Sequence, residues 1–222
     1  MHQLKRQPKA RTPPVLAEAL TRMQVLETTL SADKTAFYAK LEVDAPASVA
    51  DARLLQSRLS DQTWRSLWDH WQVAGGVRFE WFLKAAGAQS AGFESRQAPS
   101  GQLHLLAPNE VISELEFLQE LAGVTDETVE FVPFAKLKPN GELLALHETA
   151  DGVCVVLVHL DLILSVQPIA PSLGDWWQRR LHTYFLDGVR ESGRDIDELG
   201  TLVLNAIEQP TLIWPPKGRR QL

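Results

Sequence analysis

The sequence holds one cysteine in 222 residues, which excludes an intramolecular disulfide and fits a reducing compartment. Cys154 lies among Val153, Val155, Val156 and Leu157 and reads as a small core residue. Long apolar runs are missing as well. The longest, from Val153 to Val158 and on through Leu160, Leu162 and Leu164, is broken by His159 and Asp161 and is too short to cross a bilayer. The stretch from Met1 to Pro14 carries Lys5, Arg6, Lys9 and Arg11 but leads into an amphipathic segment, not the apolar core of a secretory signal. A cytoplasmic protein is therefore expected.

Catalytic patterns are equally scarce. Neither Ser100 nor Ser172 lies in a Gly-x-Ser-x-Gly elbow, and Gly75-Gly76 lacks the Lys-Ser/Thr that follows a phosphate loop. His159 and Asp161, with His147 and Glu148, make a weak metal-ligand set whose plainer reading is strand ends. His70 and His182 have no identifiable partner and read as interfacial or exposed histidines. No catalytic, cofactor-binding or metal-binding residue is assigned, no cofactor is expected, and the protein is expected not to be an enzyme. A net charge of −6 opposes non-specific binding to nucleic acid or anionic membrane. The basic N-terminal arm is short enough to read as a solubilising tail.

What is present suffices for one sizeable core: 45% of residues are hydrophobic and 23% charged. Leu16, Leu20, Met23, Leu26 and Leu30 recur at helical spacing, and Pro46 marks the expected edge of the main domain. Ser48 and Ser60 are candidate caps for two short helices, the second with Trp64, Leu67, Trp68 and Trp71 on one side and stopped by Gly75-Gly76. From Val77 to Lys84 apolar and polar residues alternate with a strand's period. A strand at Leu103 to Leu106, a helix from Pro108 carrying Ile112, Leu115 and Leu118, and strands at Val129 to Ala135, Glu142 to His147 and Val153 to His159 follow. Pro139-Asn140-Gly141 and Ala150-Asp151-Gly152 join the last three as hairpins, so the sheet is expected to be an antiparallel meander. Leu162 to Ile169 can add extended chain. Ser172 with Asp175 resembles a capping box for a helix through Phe185, and Asp195 can start a last helix carrying Ile196, Leu199, Val203 and Ile207. The expected class is α+β.

The order of several short motifs resembles the SMI1/KNR4 (SUKH) superfamily. Two helices ending in Gly75-Gly76 are followed by Phe131-Val132-Pro133-Phe134-Ala135, then Gly141-Glu142-Leu143-Leu144-Ala145-Leu146, then Ile169-Ala170-Pro171-Ser172-Leu173-Gly174-Asp175-Trp176-Trp177. The resemblance implies a SUKH-like domain over 46–188, with a basic arm and helical extension at 1–45 and a helix and free tail at 189–222. It further implies a bacterial immunity protein that neutralises a cognate toxin by binding it. A regulatory or scaffold protein of the same fold is the alternative, and a metal-dependent hydrolase the third reading.

One asymmetry points to a surface. Between Arg96 and Lys136 there is no Lys or Arg, while Glu110, Glu114, Glu116, Glu120, Asp126, Glu127 and Glu130 accumulate. A solvated helix face explains this; so does a docking face for a basic partner. Adjacent Trp176 and Trp177 cannot both point to one side of a helix, which makes Trp176 a candidate exposed anchor. The expected partner-binding set is Glu110, Glu114, Glu120, Asp126, Glu127 and Trp176. The oligomeric state is left open.

Overall fold

The computed structural model describes residues 15–32, 34–85, 100–125, 129–137, 142–159, 165–183 and 185. Its elements in chain order are α1 (Val15–Ser31), β1 (Phe37–Val43), α2 (Val49–Gln56), α3 (Asp61–Trp71), β2 (Val77–Leu83), β3 (Ser100–Leu105), α4 (Pro108–Thr125), β4 (Phe131–Lys136), β5 (Glu142–Thr149), β6 (Gly152–His159), β7 (Ser165–Ala170) and α5 (Leu173–His182). The fold is α+β. The seven strands form one open antiparallel sheet in sequence order, β1 to β7, with helices flanking it. The expected hairpin at Gly152 is present: Thr149 pairs with Gly152, whose φ of 136° is open to glycine without a Cβ penalty. The turn expected at 139–141 and the helix expected from Asp195 lie outside the described residues.

Strand register assigns every side chain to one of two faces. Val77, Phe79, Trp81 and Leu83 of β2 are buried on the inner face, in one cluster with Leu16, Met23 and Leu26 of α1, Leu67 and Trp71 of α3, and Leu173, Trp176, Trp177 and Leu181 of α5. Leu118 and Ala122 of α4 lie on the outer face, against Phe131, Leu143, Ala145, Val156 and Val158. Among the described residues several helices cover the inner face, and α4 covers part of the outer face through Leu118 and Ala122 while its Val111 and Leu115 join the inner cluster.

Two expectations change. The stretch before Pro46 is no extension: α1 contributes to the main cluster, and β1 pairs with β2 over seven consecutive residues. The edge expected at Pro46 thus falls between two packed elements. Gly75-Gly76 does not stop α3 either, since that helix ends at Trp71 with Gln72 as its C-cap. The glycines allow a close crossing instead. The Gly75 amide donates to Ala45 O at 3.0 Å, and a Cβ there would lie 2.4 Å from the same oxygen. One at Gly76 would lie 2.7 Å from Asp44 Oδ2.

The expected caps are present. Ser48 and Asp51 form a reciprocal capping box, and the hydroxyls of Ser60 and Ser172 accept from the amides of Thr63 and Asp175. Ser60 and Thr63 also donate to the Glu148 carboxylate, tying the start of α3 to the end of β5.

Glycine substitutions separate close approach from helix propensity. Gly75→Ala is expected to cost about 1–3 kcal/mol, because backbone must move to clear the Ala45 carbonyl. Gly123, in α4, has nothing within 4 Å of a built Cβ, so Gly123→Ala should add about 0.5–1 kcal/mol. Urea unfolding midpoints of the two variants should move in opposite directions.

Candidate functional site

The half of the outer face that α4 leaves bare is formed by β1, β2 and β3. In register across it stand Tyr38, Lys40 and Glu42 on β1, Phe82, Glu80 and Arg78 on β2, and Ser100, Gln102 and His104 on β3, with Lys136 opposite His104 on β4. Of these, Lys40, Glu42, Arg78, Glu80, Gln102, His104 and Lys136 line an open cleft of about 290 Å³. The exposed alternate positions of β2, which the sequence marks as its polar side, make the middle row.

One carboxylate organises the rim. Glu110, in the first turn of α4, accepts from Arg78 Nη2 at 2.7 Å and from the Ala107 amide at 2.8 Å, and both its oxygens lie 3.2 Å from His104 Nε2. Partial burial pushes the Glu110 pKa up, but the Ala107 amide, the His104 charge and the Arg78 guanidinium together hold it below the usual carboxylate value. Arg78 is correspondingly raised, first through its hydrogen bond to Glu110. One turn further on, Glu114 accepts from Lys136.

On the same face, beyond Lys40 and Glu80, the rings of Tyr38 and Phe82 stack, 4.8 Å between centroids and 21° between planes. Phe82 is 42% exposed. The Tyr38 hydroxyl donates to Glu80 Oε1 at 2.9 Å, which raises the phenol's pKa. Lys40 and Glu42 pair along β1, and their contact raises the lysine and lowers the glutamate. The cleft is thus a lattice of opposite charges held next to an exposed aromatic stack. Lys40, Arg78, His104 and Lys136 each meet a carboxylate.

The expected acidic docking face is divided by this geometry. Glu110 and Glu114 turn toward the sheet and are neutralised, while Glu116 meets Arg58 at 3.6 Å. Glu120 is exposed on α4. Asp126 and Glu127 lie outside the described residues. The cations were invisible to a local count because Arg78 and Lys136 reach the helix from other strands. Trp176 is no surface anchor: it and Trp177 are both 0% exposed. The reason is that α5 is buried on two sides, packing on β6 and β7 and on α1. Trp176 meets Phe134 edge-on, and Trp177 packs against His70 and Phe185.

The other histidines do not assemble a reactive site. His147 pairs with Cys154 across β5 and β6, whereas His159 pairs with Glu142 five residues further along β6, about 17 Å away at strand rise. Glu148 faces the opposite side of β5 from His147 and is bound to Ser60 and Thr63; Asp161 lies outside the described residues. Among the described residues no three His, Cys, Asp or Glu side chains stand close enough to share a metal ion. His182 is exposed. His70 is a structural acceptor: Trp177 Nε1 donates to its Nε2 at 2.6 Å, and its Nδ1 lies 2.7 Å from Ser66 O. These partners require a neutral ring protonated at Nδ1.

With that geometry in place, comparison with known proteins adds no relative: no family model matches the chain, and no curated protein matches it.

Two acid-side tests follow from the pairing. Burial lowers the His70 pKa, against the opposing pulls of the Ser66 carbonyl and Asp69. Below about pH 6.5 the unfolded chain then binds a proton that the folded one refuses, so stability falls as pH falls. His70→Gln should remove that slope, at most about 1.4 kcal/mol per pH unit, between pH 7 and 5 in urea titrations. Glu110 has the depressed carboxylate pattern, with stability present above the unfolded pKa and lost as pH drops through the folded one. Glu110→Gln is expected to cost about 1–2 kcal/mol at pH 7. Its difference from the parent should vanish in strong acid.

Proposed function

We propose that the protein is a non-enzymatic protein-binding domain which neutralises a toxin by direct contact, as an immunity protein does, and that its partner sits on the bare half of the outer sheet face. The observation that carries the binding reading is the state of the charges there. Lys40, Arg78, His104 and Lys136 are each engaged by a carboxylate, so the surface is suited to recognition by complementarity and not to proton transfer or nucleophilic attack. The Tyr38 and Phe82 stack supplies an exposed aromatic anchor beside a polar cleft, the kind of side chain in which interface energy concentrates. The immunity role itself rests on the resemblance of the motif order to that of the SMI1/KNR4 superfamily.

The partner that fits this face carries both charge signs. Because Glu110 and Glu114 are neutralised from within the fold, a uniformly basic surface would gain little over the cleft. A mixed one can face Glu42 and Glu80 while avoiding Lys40 and Arg78.

Phe82→Ala combined with Glu80→Lys removes the Tyr38 stack and hydrogen bond and sets a lysine opposite Lys40, which should cost about 1–2 kcal/mol while leaving a cooperatively folded chain. Affinity for a protein captured from the native host should drop about a hundredfold, as expected for an aromatic hot spot. Expressing the captured partner alone should arrest growth, and co-expression of the parent chain, but not of the variant, should restore it. Equal binding by parent and variant would remove this face from consideration. A captured partner that is harmless when expressed alone would favour the regulatory reading.

A further inference from the structure

The two edges of the sheet are protected differently. At one end β7 carries Pro168, which has no amide to offer, and its pairing with β6 slips between Val155 and Val156. Proline and irregular register are what keep an edge from recruiting further strands. At the other end β1 contains neither. Its seven residues pair with β2 without a shift, and among the described residues no strand lies on its far side.

The outward groups of β1 can be assigned. Lys84 N donates to Ala36 O and Asp44 N to Gly76 O, so the even-numbered residues bond toward β2 and Ala39, Leu41 and Val43 present their amides and carbonyls outward. The middle one of those available to a new strand is taken: Leu41 N donates to Glu27 Oε1 at 2.9 Å. Glu27 stands on α1, which packs against β1, and reaches the edge from there.

The sequence of β1 complements itself about Leu41. In an antiparallel pairing of two copies centred on Leu41, outward-facing residues meet outward-facing residues, as the hydrogen-bond pattern requires. Lys40 then stands opposite Glu42 of the second copy, and Glu42 opposite its Lys40, giving two cross-strand ion pairs on the outer face. On the inner face Val43, 43% exposed, meets Ala39 of the second copy. Shifting the centre to Ala39 would set Lys40 against Tyr38 and lose both ion pairs, so the charges select one register.

We propose that β1 is a latent self-association edge for a second copy of this chain, paired two-fold about Leu41, and that Glu27 keeps the protein monomeric by occupying the Leu41 amide. The pairing needs that amide on both copies. It would also bring two Glu27 carboxylates to the same two-fold axis, so the guard acts twice in each dimer. Its backbone contacts lie at the edge, away from Phe82, but Lys40 and Glu42 belong to both this pairing and the proposed partner face.

Sedimentation velocity over a concentration series tests it. The parent chain should be monomeric. Glu27→Ala should dimerise with a dissociation constant roughly ten- to a hundredfold lower, the effect of freeing two amides. Adding Lys40→Glu to Glu27→Ala should return a monomer, and the triple variant that also carries Glu42→Lys should dimerise again, because the swapped charges still face each other. Glu27→Lys, which keeps a long side chain but cannot accept a hydrogen bond, serves in place of the alanine variant if that chain does not fold. A folded Glu27 variant that stays monomeric would overturn the proposal. So would a dimer indifferent to Lys40→Glu, a set of larger assemblies without a discrete dimer, or a parent chain already dimeric with Glu27 intact.

Discussion

The grip of the Glu110 carboxylate decides how the two sides of this sheet differ. Arg78, His104 and the Ala107 amide converge on it, and with Glu114 on Lys136 they fix the first turns of α4 to β2, β3 and β4. From that anchor the helix can only run onward over β4 to β6, where Leu118 and Ala122 find Leu143, Ala145, Val156 and Val158. Among the described residues no helix covers β1 to β3 on the same face. The anchor joins neutral burial to charged exposure: one side of α4 buries apolar area, while its first turns pair with Arg78, His104 and Lys136, which line a charged cleft. A carboxylate at that point also suits the positive end of the helix dipole.

The half-coverage is written in the strands themselves. β2 alternates strictly between buried and exposed residues, the pattern of a strand with one wet face. β5 and β6 instead contain Leu143-Leu144-Ala145-Leu146 and Val155-Val156-Leu157-Val158, every one of them buried. A continuous apolar run in an antiparallel strand means that both faces are covered. Strand positions, the order of the meander, the Gly152 turn and the serine caps were therefore legible, because each depends on neighbours a few residues away. The seven-residue β1 was not. Its Tyr38-Ala39-Lys40-Leu41 sequence puts small and half-buried side chains on the inner face, and only pairing with β2 makes it a strand.

What the sequence hid is long-range in each case. Acidic residues in α4 look unopposed along the chain, yet Arg78 is 32 residues from Glu110 and Lys136 is 22 from Glu114. The adjacent Trp176 and Trp177 look like one buried and one exposed side chain only if a helix has a single partner. Here α5 packs on β6 and β7 and, sideways, on α1, so both indoles are enclosed, and one of them reaches His70 on α3. Gly75 and Gly76 punctuate the sequence as a helix stop would, but their lack of side chains serves the approach of Ala45 and Asp44.

An exposed sheet has two kinds of reactive surface, its face and its edge, and the chain treats them by different physics. On the face, side chains are matched with opposite charges already present in the fold, which leaves a surface whose affinity depends on geometric fit and not on net charge. At the edge the reactive groups are backbone amides and carbonyls, which side-chain charges can steer or oppose but do not consume. Here one is removed, at Pro168, and another occupied, at Leu41. Removal is permanent, whereas an amide held by a side chain is available again whenever that side chain lets go. The asymmetry between Pro168 and Glu27 thus places the reversible edge on β1, beside the bare half of the face, and the permanent one at the far side of the sheet.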